Sequence, residues 1–348
     1  MVMFLLIQSK WKQQKEGDYI DHSILTEVDG KQYNVNTETG EATEMITIMV
    51  PYGTRWQTPE QQDKAKKKAE LLKQREQKEY YKKLVGKELG HFYWILADDV
   101  FSDLQPQTVS KLVMLCTYLY YDDMFRKSTK TTIKKSDLQQ ILNISKKAAY
   151  DFWREVKDRY ITERDGDLYI SEQANIFRGK LPKAQEPEVT HYQKAYINSI
   201  RKLYGATSIR KHKQLGYVFK LLPYINLEYN IFCRDAFIKE IDDIMPLSVV
   251  DLCNLIGYNV SQSARLLKEL QALTFEINHR QEFLISYVDN GGNTPQSKMV
   301  FVNPHILYNG SNFQKVEVLG AFCKAYSGND STLRKLSPKT QNKQISPQ

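Results

Sequence analysis

Between residues 91 and 180, apolar positions fall at spacings of three and four, then change to alternation. Val109, Leu112, Val113, Cys116 and Leu119 mark one face of a helix that Pro106 opens. Thr131-Thr132-Ile133 reads as a short strand. Leu138, Ile141 and Leu142 share a face of a second helix, Lys135 to Leu142. Asn143-Ile144-Ser145 predicts a tight turn in which Ser145 caps a third helix. That helix is expected to reach about Arg159, with Ala149, Phe152, Trp153 and Val156 inward. Tyr160 to Glu163 and Leu168 to Ile170 then flank Asp165-Gly166, a hairpin signal. Helix, strand, helix, turn, helix, hairpin is the winged helix-turn-helix layout.

The pattern recurs over 245–310. Pro246 to Ile256 predicts a helix with Val249, Leu252, Leu255 and Ile256 inward, followed by the turn Gly257-Tyr258-Asn259. Ser261 is the expected cap of a helix reaching about Leu273, with Ala264, Leu267 and Leu270 inward. Phe275 to Ile277 is expected to pair with Phe283 to Tyr287 around Asn278 to Glu282. Asn290-Gly291-Gly292-Asn293 is a turn before a last strand, Met299 to Val302. The two openings match: Asp137-Leu138 precedes Ile141-Leu142 as Asp251-Leu252 precedes Leu255-Ile256. Beyond the wings only the order recurs. Tyr169-Ile170-Ser171 leads to Ile176-Phe177 and Gly179, and Phe301-Val302-Asn303 to Ile306-Leu307 and Gly310. Recurrence of a whole unit carries more weight than either copy alone.

The remaining segments are simpler. Residues 1–57 read as β-rich, with turns at Asp29-Gly30 and at Asn36 to Glu41 and a strand from Met45 to Val50. Residues 58–90 predict a basic helix or linker that Thr58 caps and Pro59 opens. It has few apolar residues, so it reads as a solvated helix or as an arm along phosphates. Residues 187–225 predict basic helix, with Tyr196, Ile197, Ile200 and Leu203 on one face and Lys194, Arg201, Lys202, Arg210, Lys211 and Lys213 mostly off it. Leu181 to Pro187 reads as a hinge, and 326–348 as a disordered basic tail. The expected fold is therefore α+β, mostly α with small β wings. It comprises two tandem winged helix-turn-helix domains, 91–180 and 188–325, behind a β-rich segment and a basic helix.

The 348 residues carry a net charge of +8 and a pI near 9.0, which favours a polyanionic partner. Cys116, Cys233, Cys253 and Cys323 lack zinc or redox spacing, and Cys116 and Cys253 read as core residues. The opening apolar run lacks preceding basic residues and does not read as a signal peptide. No stretch approaches the roughly 20 apolar residues of a membrane span, so a cytoplasmic protein is expected. The six histidines form no H-E-x-x-H pair, and no phosphate-binding G-x-x-x-x-G-K-[ST] loop occurs. Tyr80-Tyr81 reads as helix. The acidic pairs Asp98-Asp99, Asp122-Asp123 and Asp242-Asp243 fall at turns and helix ends. No catalytic group, cofactor or metal is expected.

A helix presented by a tight turn fits the roughly 12 Å major groove and brings its first residues to base edges. In the first unit the candidate DNA contacts are Lys146, Lys147, Tyr150, Arg154 and Lys157. In the second they are Ser261, Gln262, Ser263, Arg265 and Lys268. The wings offer Arg164 and Arg280. Phe152 and Trp153 read as core, not as stacking platforms. Lys135 to Gly179 resembles MarR-like and RepL-like winged-helix proteins of Gram-positive plasmids and phages. Phe301-Val302-Asn303-Pro304 followed by Tyr308-Asn309-Gly310 is similar to the V-N-P…G ending of RepL-type replication proteins, and Thr39-Gly40-Glu41 to their leader segments. Those relatives commonly carry one winged helix per chain, where two are expected here.

The resemblance implies DNA binding in replication or transcription control. The expected function is sequence-specific double-stranded DNA binding for a mobile element in a bacterial host, as a transcriptional regulator. The alternatives are a replication initiator on origin repeats and a non-enzymatic interaction module. Partners would be duplex DNA and a replisome or transcription component, with the chain acting as a monomeric pseudo-dimer or a homodimer.

Overall fold

A two-residue turn with left-handed backbone joins two strands of the first sheet. A computed structural model describes residues 3–7, 23–50, 59–97, 101–179, 191–289 and 298–324. It divides into two units, 1–74 and 75–348. In the first, β1 (Met3–Ile7), β2 (Ser23–Val28), β3 (Lys31–Asn36) and β4 (Ala42–Val50) form an antiparallel sheet in the order β1-β4-β3-β2. Asp29 and Gly30 both have positive φ, 51° and 74°, the geometry whose twist suits a two-residue hairpin. Asn36 closes the next turn by accepting from the Glu38 and Thr39 amides. Helix α1 (Pro59–Leu89) follows. It has no apolar stripe, and its only buried residues, Val85 and Leu89, lie at the end belonging to the second unit.

The first half of the second unit runs β5 (Phe92–Leu96), α2 (Pro106–Cys116), β6 (Arg126–Ser128), β7 (Thr131–Thr132), α3 (Leu138–Ile141), α4 (Lys146–Val156), β8 (Ile161–Arg164), β9 (Asp167–Ile170) and β10 (Ile176–Phe177). The second half runs β11 (Tyr192–Tyr196), α5 (Ile197–Ala206), α6 (His212–Lys220), α7 (Val249–Leu255), α8 (Ser263–Gln271), β12 (Thr274–Ile277), β13 (Arg280–Phe283), β14 (Ile285–Asp289), β15 (Lys298–Val302) and α9 (Phe313–Cys323). The fold is thus mixed α and β with small antiparallel sheets. No described helix is long and apolar enough to cross a membrane. All four cysteines are free and buried. The predicted hinge at 181–187, the glycine turn at 290–293 and the basic tail lie outside the described residues.

Several boundaries differ from expectation. Helix α4 stops at Val156, not Arg159, because Lys157 turns to ψ 141° and Asp158 takes φ 69°. Helix α7 starts at Val249, not Pro246, where Ser248 and Asp251 form a reciprocal capping box. Tyr192–Tyr196 is strand, not helix, since it pairs along its whole length with β5. The second hairpin turns on Asn278 and His279 alone, φ 49° and 60°, so Arg280 to Glu282 are strand.

The two halves repeat bond by bond. The Lys134 amide donates to Asp137 Oδ2 at 2.9 Å, as that of Ser248 does to Asp251 at 2.9 Å. Leu142 closes on Leu138 as Ile256 closes on Leu252. Asn143 and Gly257 supply the left-handed turn residue, φ 50° and 65°. Ser145 and Asn259 then cap the next segment with their side-chain oxygens. No insertion separates these matches, so α4 aligns with Val260 to Leu270. Phe152, Trp153 and Val156 are buried as Leu266, Leu267 and Leu270 are. Asp123 and Asn230 are both left-handed, and their carbonyls accept from Ile170 and Val302.

The same correspondence reveals a two-fold. The Leu96 amide donates to Asn175, and that of Tyr196 to Ile306. Ile176 stands opposite Ile95, and Leu307 opposite Ala195. Ile176-Phe177-Arg178-Gly179 therefore matches Leu307-Tyr308-Asn309-Gly310 at equal spacing, one residue away from the match that sequence order suggests. Trp94 corresponds to Lys194, and in the β5–β11 ladder Trp94 faces Lys194 itself. An antiparallel pair centred on corresponding residues is a local two-fold axis. Helices α2 and α6 meet as tightly: a Cβ on Gly216 would stand 1.7 Å from the Pro106 carbonyl oxygen. One hydrophobic core, from Tyr93 through Leu112, Phe152 and Phe219 to Leu266 and Leu307, serves both halves. The predicted domains 91–180 and 188–325 are halves of one unit.

Three substitutions probe stability, Gly216 and Lys194 at this seam and Gly86 in α1. Gly216→Ala forces two backbones apart and is expected to cost about 3 kcal/mol or more in urea unfolding. Gly86→Ala, in a helix with open space around it, should stabilise by about 0.5–1 kcal/mol. Burial pushes the Lys194 ammonium down to about 8, against roughly 10.4 in the unfolded chain. Between those values the unfolded chain holds the extra proton, so stability rises with pH across that window. Lys194→Met should flatten that rise relative to wild type and add about 2–3 kcal/mol at neutral pH, measured by unfolding at pH 7 and pH 10.

Candidate nucleic-acid interface

Helix α4 owes its presentation to the Asn143 turn and the Ser145 cap, which aim its first residues outward. Lys146, Lys147, Tyr150, Arg154 and Lys157 are all exposed, Tyr150 by 61%. Phe152 and Trp153 are core, as predicted, and Lys135 lies over the Trp153 ring at 5.2 Å. Arg154 makes a loose 3.5 Å pair with Asp151 on the same face, and Lys157 one of 3.8 Å with Asp158. Exposed pairs of this kind contribute little and yield readily to a stronger anion.

Arg265 and Lys268 on α8 are exposed, as are Ser261 and Gln262 in the 3-10 turn, Val260–Gln262, that leads into it. Ser263 is not: it is 7% exposed because it occupies the position of Ala149, on the inward face. Ala264 takes the outward position expected of Ser263, corresponding to Tyr150. Ser261 is not the cap either: Asn259 caps the 3-10 turn that leads into α8, accepting from both the amide and hydroxyl of Ser261. Arg265 is held by Glu269 at 2.8 Å, and Glu269 also accepts from Gln214 of α6 at 3.0 Å. Gln214 and Arg265 together hold the Glu269 carboxyl below its ordinary value.

The two hairpins differ. Arg164 ends β8 beside the left-handed Asp165-Gly166 turn and lies over the Tyr169 ring at 5.3 Å. Arg280 begins β13 on the far side of its turn. Strand β13 is anchored from beneath by Glu282, which is 3% exposed and accepts from Asn303 Nδ2 at 2.8 Å, with His305 Nδ1 at 2.9 Å. Burial pushes the Glu282 carboxyl up, but His305 and Asn303 outweigh it and hold it below the usual range. Sequence reasoning missed this anchor because its members lie on separate strands and loops; alternation in the β12–β13 hairpin, with Glu282 on the inward side of β13, was the available signal.

It also left unassigned the cations flanking α8. Arg210, Lys211 and Lys213 are exposed, Lys211 is near enough to Glu269 to lower its pKa, and Lys213 lies over Tyr217. Two members of the predicted basic set are instead structural. Arg201 donates to the Thr117 hydroxyl and carbonyl at 2.9 and 2.8 Å, and Lys194 is half-buried over Phe92 and Trp94.

Both outward helices flank the crossing of α2 and α6. Gln214, on α6, reaches α8 through Glu269. Lys111, on α2, lies by Asp151 and Glu155 of α4: burial lowers its pKa and those two carboxylates draw it back up. Among the described residues no group of three or more His, Cys, Asp or Glu side chains is placed to hold a metal ion. No protein-family model, no curated protein and no solved structure matches this chain.

His305→Ala strands the buried Glu282 carboxylate and is expected to destabilise by about 3 kcal/mol. Adding Glu282→Gln should recover part of that loss in thermal unfolding, because the unpaired charge is then gone.

Proposed function

We propose that this chain is a sequence-specific double-stranded DNA-binding protein. It would read DNA through two winged helix-turn-helix units and serve as a transcriptional regulator of a mobile element in a bacterial cytoplasm. The observation that carries the reading is the repeated presentation: a left-handed turn residue and a side-chain cap place an exposed, cation-bearing helix outward in each half, with a hairpin after it. Such a helix fits the major groove, and a hairpin beside it reaches the adjacent backbone. The net charge of +8 supplies the long-range attraction.

The two helices divide the work. Lys146, Lys147 and Arg154 on α4 offer charge for phosphate and guanine edges, with Tyr150 among them. Arg265 on α8, with Gln262 and Ser261 in the turn just before it, offers directed hydrogen bonds, Gln262 to adenine and Arg265 to guanine. In the bound state the Arg265 guanidinium exchanges Glu269 for a base or phosphate.

Fluorescence anisotropy with duplexes selected from a random pool tests the reading. Binding is expected to show a clear preference for the selected duplex and to weaken steeply with salt. Arg154→Ala and Arg265→Ala should each cost about 1–3 kcal/mol on the selected duplex and relax its sequence preference. Absence of duplex binding at low salt overturns the proposal.

A further inference from the structure

We infer that the DNA target is one imperfect inverted repeat, spanned by a single copy of the chain. This rests on the DNA-binding reading and adds to it the symmetry and stoichiometry of the site. The two-fold through Trp94 and Lys194 relates the halves by rotation, not by translation. Its elements are internal to the chain: the β5–β11 ladder on one side, and on the other the α2–α6 contact at Gly216 and Pro106. A two-fold reverses direction, so the path from cap to helix end in α4 is opposed by that in α8. Both helices flank the α2–α6 crossing, α8 through Gln214–Glu269 and α4 through Lys111.

Duplex DNA has local two-fold axes perpendicular to its length. A duplex laid across the protein axis offers α4 and α8 half-sites of opposite orientation. Half-sites on one face of B-DNA have centres about one helical turn, roughly 10 base pairs, apart. The repeat is imperfect because the reading residues are not equivalent. Lys147 corresponds to Ser261, Tyr150 to Ala264, Asp151 to Arg265 and Arg154 to Lys268. The α4 half is read mainly by charge, and the α8 half through Arg265 and Gln262. The shared core and the ladder make this arrangement rigid in a single chain, so no second copy is needed to complete the site.

The test uses the full chain and the duplex selected from a random pool. In three further duplexes, one half-site is reversed in place, one half-site is scrambled, or about five base pairs are inserted between the halves to turn them to opposite faces. Reversal and insertion are each expected to weaken binding at least tenfold, to the level of the scrambled duplex. Mass measurement of the complex should give one chain per duplex. Arg154→Ala should relax base preference in one half only and Arg265→Ala in the other; both side chains are about two-thirds exposed, 69% and 68%, so the fold is spared. If the reversed duplex binds as well as the original, or two chains occupy one site, the inverted-repeat inference falls and duplex binding stands. If no duplex binds, both fall.

Discussion

The ladder between Phe92–Leu96 and Tyr192–Tyr196 is the contact on which the larger unit depends. It joins strands a hundred positions apart, and it places Trp94 opposite its own counterpart Lys194, with the remaining pairs arranged symmetrically about them. Everything symmetric in the unit follows from that register. The strand after the β8–β9 hairpin adds to β5, and the segment Ile306 to Tyr308 in the second half adds to β11, with matching hydrogen bonds. A slip of one residue would exchange the buried Tyr93, Ile95, Gln193 and Ala195 for the half-buried Phe92, Trp94 and Lys194, which the core could not accommodate.

The helices beneath the ladder set a second constraint of the same kind. Gly216 has an ordinary helical backbone, and its lack of a side chain is what permits α6 to lie on the backbone of Pro106. Close approach there lets one core replace two. Within the first half Tyr93 donates its hydroxyl to the Val113 carbonyl, and across the halves Tyr204 donates to the Leu142 carbonyl, a buried polar bond added to the packing. Arg201 adds a second tie between the halves, from α5 to Thr117 just past the end of α2. Rigidity between the halves matters for any partner that touches both, because orientation entropy is then lost in folding and not in binding.

The halves have kept their scaffold and changed their surfaces. Capping aspartates, left-handed turn residues and inward apolar positions correspond one to one, whereas the outward positions of α4 and α8 do not. The capping side chain changed from Ser145 to Asn259 while the hydrogen bond it makes was retained. A side chain whose partner is its own backbone can change only to one that makes the same bond; one that faces solvent is free to diverge.

Local signals in the amino-acid sequence were enough for the helices α2 to α4, α7 and α8, the Asp29-Gly30 and Asp165-Gly166 hairpins, the Ser145 cap and the cations exposed on α4. Each depends on residues within a few positions of one another, through periodicity, capping or turn chemistry. The repeat was legible where its spacing is unbroken, from Asp137 to Ile144 against Asp251 to Tyr258. Tyr192–Tyr196 could not be read as strand, because its apolar spacing suits a helix and only the distant β5 makes it extended. The true cap at Asn259 and the burial of Ser263 were hidden because two serines, Ser261 and Ser263, stood in equally plausible positions until the core fixed the phase of α8. The Glu282–His305 anchor, the tether from Gln214 to Glu269 and the two-fold itself join residues far apart in the chain. Those were decided by the tertiary structure alone, since burial and pairing across the chain, not local preference, determine which groups meet.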